Sequence, residues 1–155
     1  MRTLSQWLAE YGESHTNETN KVIHWICVPA IFFSITGLLY GIKLPWFING
    51  SLQLNVAMIV LLITTVYYLS LSISIGTGML IFGLFCLALC YATETFVPVP
   101  LWAVSIIIFI AAWIGQFYGH KVEGRKPSFL KDIQFLLIGP AWLMSFIYKK
   151  IGMKY

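Results

Sequence analysis

The 155-residue chain is 59% hydrophobic and only 10% charged, with a formal net charge of +4. A soluble domain carries about 25% charged residues, so this composition excludes a water-soluble globular protein, and no nucleic-acid partner is expected. Residues 22–42, 44–93 and 95–120 contain no Lys, Arg, Asp or Glu. A spanning helix needs roughly 20 apolar residues, so the chain is predicted to cross a membrane several times.

Leu4, Trp7, Leu8 and Tyr11 repeat at helical spacing, with polar residues between them. Thr3 followed by Gln6 fits a capping box. Residues 1–13 are therefore predicted to form an amphipathic helix lying in the membrane interface. Arg2, Glu10, Glu13, Glu18 and Lys21 leave no apolar core before a cleavage site, so no signal peptide is expected and the first span would be its own insertion signal.

The first span is predicted over 20–41, with Asn20 as N-cap. The long uncharged run has room for two spans and their turns. Lys43-Leu44-Pro45 and Asn49-Gly50-Ser51 bound its start. The second span is placed at 52–69 and the third at 74–92, joined by Ser70-Leu71-Ser72-Ile73-Ser74 as an antiparallel hairpin. Pro98-Val99-Pro100 opens a fourth span over 98–119, with proline where its missing N–H does no harm. Cys27, Cys86 and Cys90 fall inside apolar runs and are expected to pack as small apolar residues without a disulfide.

The tail is basic at Lys121, Arg125, Lys126 and Lys131. Pro127-Ser128 sets up a last helix over 128–148 with Ser128 as N-cap. Lys131, Asp132 and the Gly139-Pro140 interruption make it short for a span, so a half-inserted, re-entrant or interfacial helix is expected. Of the ten Lys and Arg residues, only Lys43 falls in a connection on the far side. Positive flanks stay cytoplasmic. The reading is thus an all-α integral membrane protein, one membrane domain over 1–155. It has four transmembrane helices, an N-terminal interfacial helix and a C-terminal half-inserted helix. Both termini face the cytoplasm, in a bacterial inner membrane or the endoplasmic reticulum.

That topology brings all three histidines, His15, His24 and His120, to one cytoplasmic interface. On a single helix, residues nine apart point to opposite sides, at about 100° per residue. His15 and His24 can meet only if the chain bends, and Thr16-Asn17-Glu18-Thr19-Asn20 suits a bend. Gly115 and Gly119, like Gly37 and Gly41, have the small-xxx-small spacing that lets membrane helices approach closely. Neutral imidazoles suit Fe, Zn or Cu. Glu123 is a candidate fourth ligand or a hydrogen-bond partner that fixes a histidine tautomer, and Glu18 and Asn20 are weaker candidates for the same jobs. Three histidines support one metal and not a pair. Interfacial histidines also bind water or lipid phosphate without catalysis. A non-catalytic lipid-binding or assembly protein, and a haem-binding electron carrier with two axial histidines, therefore stay open. A transporter is disfavoured, because no charged residue lies mid-span.

Tyr11-Gly12-Glu13-Ser14-His15-Thr16-Asn17-Glu18-Thr19-Asn20-Lys21-Val22-Ile23-His24, followed by Val28-Pro29, resembles the N-terminal signature of the yeast 2-hydroxy fatty acid dioxygenase family of phytosphingosine breakdown. The stretch Gln116-Phe117-Tyr118-Gly119-His120-Lys121-Val122-Glu123-Gly124-Arg125-Lys126-Pro127 resembles its second signature, and the Gly139-Pro140 segment also fits. The similarity spans nearly the whole chain. The His120-to-Glu123 interval is one residue shorter than in the yeast-like pattern. The resemblance implies a membrane enzyme with an Fe(2+) cofactor held by the histidines. Its implied reaction is α-oxidation, in which a 2-hydroxy fatty acid and O2 give the acid one carbon shorter, CO2 and water. Cleaving C1–C2 supplies every electron that O2 accepts, so no co-reductant is needed. On that reading Lys121, Arg125 and Lys126 attract the substrate carboxylate, and the alkyl tail lies among the helices or in membrane lipid. Ordinary positive flanking charge is the plainer account of those three residues.

Overall fold

The computed structural model describes residues 3–48, 52–124 and 135–155. Arg2, the Asn49-Gly50-Ser51 turn, Arg125, Lys126, the Ser128 cap, Lys131 and Asp132 lie outside the described residues. Among the described residues are six α-helices and one two-stranded hairpin.

Helix α1, Leu4–Glu13, starts on the expected capping box: the Thr3 side chain accepts from the Gln6 N–H, and the Gln6 side chain accepts from the Thr3 N–H. Its apolar stripe, Leu4, Leu8 and Tyr11, is buried in a protein core shared with Trp142 and Phe135. Helix α2, Glu18–Tyr40, begins earlier than expected. Asn17, not Asn20, is its N-cap, accepting from the N–H groups of Thr19 and Asn20. Asn17 is the residue in extended backbone with a free side-chain oxygen, whereas Asn20 is fully buried one turn into the helix.

The chain then forms an antiparallel hairpin not foreseen from sequence: β1, Lys43–Ile48, pairs with β2, Leu52–Asn55. The expected span start at Leu52 is therefore corrected. Residues 52–55 are a strand, and helix α3, Val56–Leu71, starts only after Asn55, whose Oδ1 accepts from the Met58 N–H. Helix α4, Ile73–Phe96, follows after Ser72 alone, which both ends α3 and caps α4. The expected five-residue connection is thus reduced to one, because Ser70 and Leu71 stay in α3. Helix α4 continues to Phe96, with Glu94 paired to Lys43 at 3.0 Å. Helix α5, Leu101–Glu123, passes the expected stop at Gly119 and ends at Gly124, which sits in the left-handed region at φ 74°. Helix α6, Ile138–Lys150, carries Gly139 and Pro140 in its first turn. They open this helix instead of breaking it, since an N–H is not needed there.

Helices α2, α4 and α5 are each long and apolar enough to cross a membrane. At 16 residues, α3 is shorter, about 24 Å at 1.5 Å per residue against a hydrocarbon core of about 30 Å. The three long apolar helices mark a membrane protein. Helices α2 and α5 pack antiparallel through small residues. A Cβ on Gly37 would strike Ser105, one on Gly115 would lie 2.6 Å from Cys27 Sγ, and one on Gly119 would strike Asn20 Oδ1. Among the described residues, Gly41 meets only its own helix. Helix α6 is tied to α3 and α4 by Tyr68 Oη donating to the Leu137 carbonyl at 2.5 Å and Tyr148 Oη to the Ser74 carbonyl at 2.7 Å. The three cysteines are buried and unpaired.

Candidate metal centre

The close approach of α2 and α5 puts His24, on the second turn of α2, beside His120, on the last turn of α5. His15 reaches them from the loop between α1 and α2, because Ser14 to Asn17 leave the helix and let the chain turn. The three imidazoles are buried, with 5%, 1% and 7% of His15, His24 and His120 exposed. One ring nitrogen of each lies within 4.8 Å of the others.

The hydrogen bonds fix which nitrogen faces inward. His15 Nδ1 is 2.6 Å from the Tyr11 carbonyl, and His24 Nδ1 is 2.9 Å from the Asn20 carbonyl. A carbonyl oxygen can only accept, so both Nδ1 atoms carry the proton and donate. In the neutral rings both Nε2 atoms then present lone pairs, and these face each other at 2.9 Å. Two lone pairs at that distance repel unless a cation lies between them. Imidazole Nδ1–H donated to a carbonyl, with Nε2 turned to the metal, is a recurrent arrangement at metal sites. Two nitrogens each about 2.1 Å from one metal, at right angles, lie about 3.0 Å apart. The donor set therefore fits a single transition metal. The ring of Tyr11 stacks on His15 at 4.2 Å and 9°, and Trp142 lies 5.4 Å from His15, so aromatic rings close one side of the cluster.

Glu123 is placed differently from the histidines. Its carboxylate accepts from Thr16 N–H at 2.8 Å, Thr16 Oγ1 at 2.5 Å, Asn17 N–H at 3.0 Å and Asn20 Nδ2 at 2.9 Å. It clamps the loop carrying His15 to the helix carrying His24. Asn20 joins both networks: its amide donates to Glu123 and its backbone carbonyl accepts from His24. Its Oδ1 is buried without a hydrogen-bond partner among the described residues. Glu18 pairs with Lys21 at 2.7 Å on the exposed surface. Lys121 is exposed at the end of α5.

A cavity opens beside the cluster. His24, His120, Gln116 and Tyr11 line its polar part, and Val28, Ile31 and Phe32 continue it along α2. From the sequence, Thr16 figures only as a bend residue and Gln116 only as part of a signature, and Trp142 has no role. Gln116 carried a signal, as a lone amide in an uncharged apolar run. Trp142 carried none, being one apolar residue in a run of them.

The family described as 2-hydroxy-palmitic acid dioxygenase Mpo1-like matches residues 1–151. The chain is 31% identical over 151 residues to the 2-hydroxy-palmitic acid dioxygenase MPO1 of Saccharomyces cerevisiae, covering 96% of this chain and 82% of that protein. No solved structure matches it. With buried histidines gathered from both signature segments and a family match over almost its full length, the chain belongs to the Mpo1-like family.

Proposed function

We propose that this protein is a membrane Fe(II)-dependent dioxygenase that shortens long-chain 2-hydroxy fatty acids by one carbon. The single observation that carries this reading is the pair of inward-facing Nε2 atoms of His15 and His24, 2.9 Å apart, with His120 beside them. The similarity to a 2-hydroxy-palmitic acid dioxygenase supports the substrate class. The reaction balances as R–CH(OH)–COOH + O2 → R–COOH + CO2 + H2O. The C1–C2 bond breaks, the carbinol carbon becomes the new carboxyl carbon, and O2 takes up all four electrons. Iron is the chosen metal because this step needs a redox-active centre with open positions, which histidine-poor Fe(II) oxygenase sites provide.

His15, His24 and His120 would hold the metal, and the bound iron would supply the one-electron chemistry that lets O2 react with a closed-shell acid. The carbonyls of Tyr11 and Asn20 keep two of the rings in the ligating tautomer. Tyr11 and Trp142 exclude water from one side of the cluster. In this reading Glu123 and Asn20 position the ligands from behind, and Glu123 serves as clamp, not as a fourth ligand. Gln116 sits at the polar part of the cavity, where its amide can donate to a carboxylate or accept from the 2-hydroxyl. Lys121, Arg125 and Lys126 draw the carboxylate toward the site from the cytoplasmic face, with both termini on that face. Two axial ligands of a haem must stand on opposite sides of a porphyrin, so nitrogens 2.9 Å apart favour a single bare ion over a haem.

The test is a product assay. Protein loaded anaerobically with Fe(II) is mixed with 2-hydroxy-palmitic acid and O2. The acid one carbon shorter, formed one-for-one with CO2, is expected from the wild type and not from His24→Ala. Absence of that product from the iron-loaded wild type would overturn the reading.

A further inference from the structure

A second cavity lies deeper in the molecule, between α2 and α3. We propose that it is the acyl-tail subsite of the histidine site and that it sets the chain length the protein accepts. The inference rests on the reading that the histidine site takes an amphipathic acid.

The two cavities are neighbours. Phe32 and Leu136 line both, so the polar pocket at His24 and His120 and the deeper space meet at these two side chains. Both are backed by neighbours: the Phe32 ring lies 5.0 Å from Phe82, and Tyr68 Oη donates to the carbonyl of Leu137, next to Leu136. Ile35, Leu39, Ala57, Val60 and Leu61 make the deeper space apolar. Its two hydroxyls are spoken for, Thr36 donating to the Phe32 carbonyl at 2.8 Å and Thr64 to the Leu61 carbonyl at 3.1 Å. No polar group there asks for water, and a cavity of this kind stays dry and takes a hydrocarbon. From His24 to Leu39 the lining runs along α2 for about 22 Å, at 1.5 Å per residue. That exceeds half of the roughly 30 Å hydrocarbon core, the depth one leaflet of acyl chains fills. A long-chain acid with its carboxyl end at the histidines therefore extends past Phe32 into the deeper cavity. A short-chain acid ends before Phe32.

Val60 is half-buried on α3 and lines the deeper cavity but not the pocket at the histidines, so Val60→Trp takes up space in the deeper cavity alone. Two readouts are taken on wild type, Val60→Trp and the cavity-widening Val60→Ala. One is turnover of 2-hydroxy-palmitic against 2-hydroxy-octanoic acid. The other is displacement of a fluorescent long-chain fatty acid from metal-free protein. Every methylene kept out of the apolar cavity loses its burial, so Val60→Trp is expected to weaken the long chain more than about tenfold in both readouts. The short chain ends before the deeper cavity and should lose far less, while Val60→Ala, which widens the cavity, should shift the preference toward longer chains. A Val60→Trp protein that keeps wild-type affinity and the wild-type chain-length profile would overturn the proposal. If wild type turns over neither acid while Val60→Trp still loses the fluorescent chain, the tail subsite stands and the dioxygenase reading fails. If wild type is active and neither readout moves, the subsite fails and the dioxygenase reading stands.

Discussion

The carboxylate of Glu123 accepts the backbone N–H of Thr16 at 2.8 Å, across 107 positions of chain. This joins the end of α5 to the loop that delivers His15 and so makes the histidine cluster a property of the whole bundle. Carboxylate bonds of this kind contribute about 1.5–3 kcal/mol each when buried, less at a partly exposed site such as this. Removing a group that orients ligands typically costs 10–100-fold in metal affinity. Glu123→Ala is therefore expected to bind iron about 10–100-fold more weakly, with the iron that remains still active. Glu123→Gln, which keeps one acceptor oxygen, should fall between the two. A metal titration measures this, and complete loss of iron binding in Glu123→Gln would point to a direct ligand.

Asn20→Asp tests the same clamp from the other side. It deletes the Nδ2 donor to Glu123 and sets two carboxylates face to face, where the present contact is 2.9 Å. The expected result is a lower melting temperature and weaker iron binding, while Asn20→Gln, which keeps the backbone carbonyl that meets His24 but adds a methylene in the tight space against Gly119, should lower stability more than ligation. Thermal melts with and without iron separate stability from ligation, since iron stabilises only the folded state that binds it.

Two glycines should behave in opposite ways. Gly119→Ala drives a Cβ into Asn20 Oδ1 and wedges α5 from α2, so metal binding and stability should fall together. Gly124→Ala meets no neighbour among the described residues, but the residue sits at φ 74°, so it should cost about 1–2 kcal/mol of stability and leave iron affinity unchanged. Iron titration of both variants checks the contrast.

Much of this was legible in the sequence for definite reasons. Long uncharged runs announced α2, α4 and α5, and the Thr3–Gln6 capping box announced α1. The meeting of the histidines followed from counting helices between them and from the turn residues after His15. What was not legible depends on contacts across the bundle. Asn17 and Asn20 are equally good caps in isolation, and only Glu123 decides that Asn20 goes inside. The strand at Leu52–Asn55 reads as the start of a helix until its partner Lys43–Ile48 is placed beside it. The Gly115–Gly119 spacing did announce a close helix approach, but not that α5 runs on past Gly119 or that the group given clearance there is Asn20. Glu123, three residues after His120, reads as a fourth ligand or a hydrogen-bond partner, and its bonds to Thr16 and Asn17 could not be read from that spacing because they lie across the bundle.

Gln116→Leu should separate recognition from metal binding. The amide lines the cavity beside His24 and His120 and is assigned here to the acid's carboxylate or hydroxyl. Loss of one hydrogen bond to a charged group is worth about 1.5–3 kcal/mol, or about tenfold to more than a hundredfold in kcat/KM. Iron content should not change. Unchanged kcat/KM in a fully iron-loaded Gln116→Leu protein would remove Gln116 from the site.

The most direct test of the central claim is an anaerobic Fe(II) titration of metal-free protein, followed by measurement of 2-hydroxy-palmitic acid cleavage at each iron level. One metal held by three histidines predicts that cleavage rises linearly to a single iron per chain. It also predicts that His15→Ala, His24→Ala and His120→Ala each lose both the bound iron and the cleavage. Cleavage that is independent of iron, or that needs two irons per chain, would contradict it.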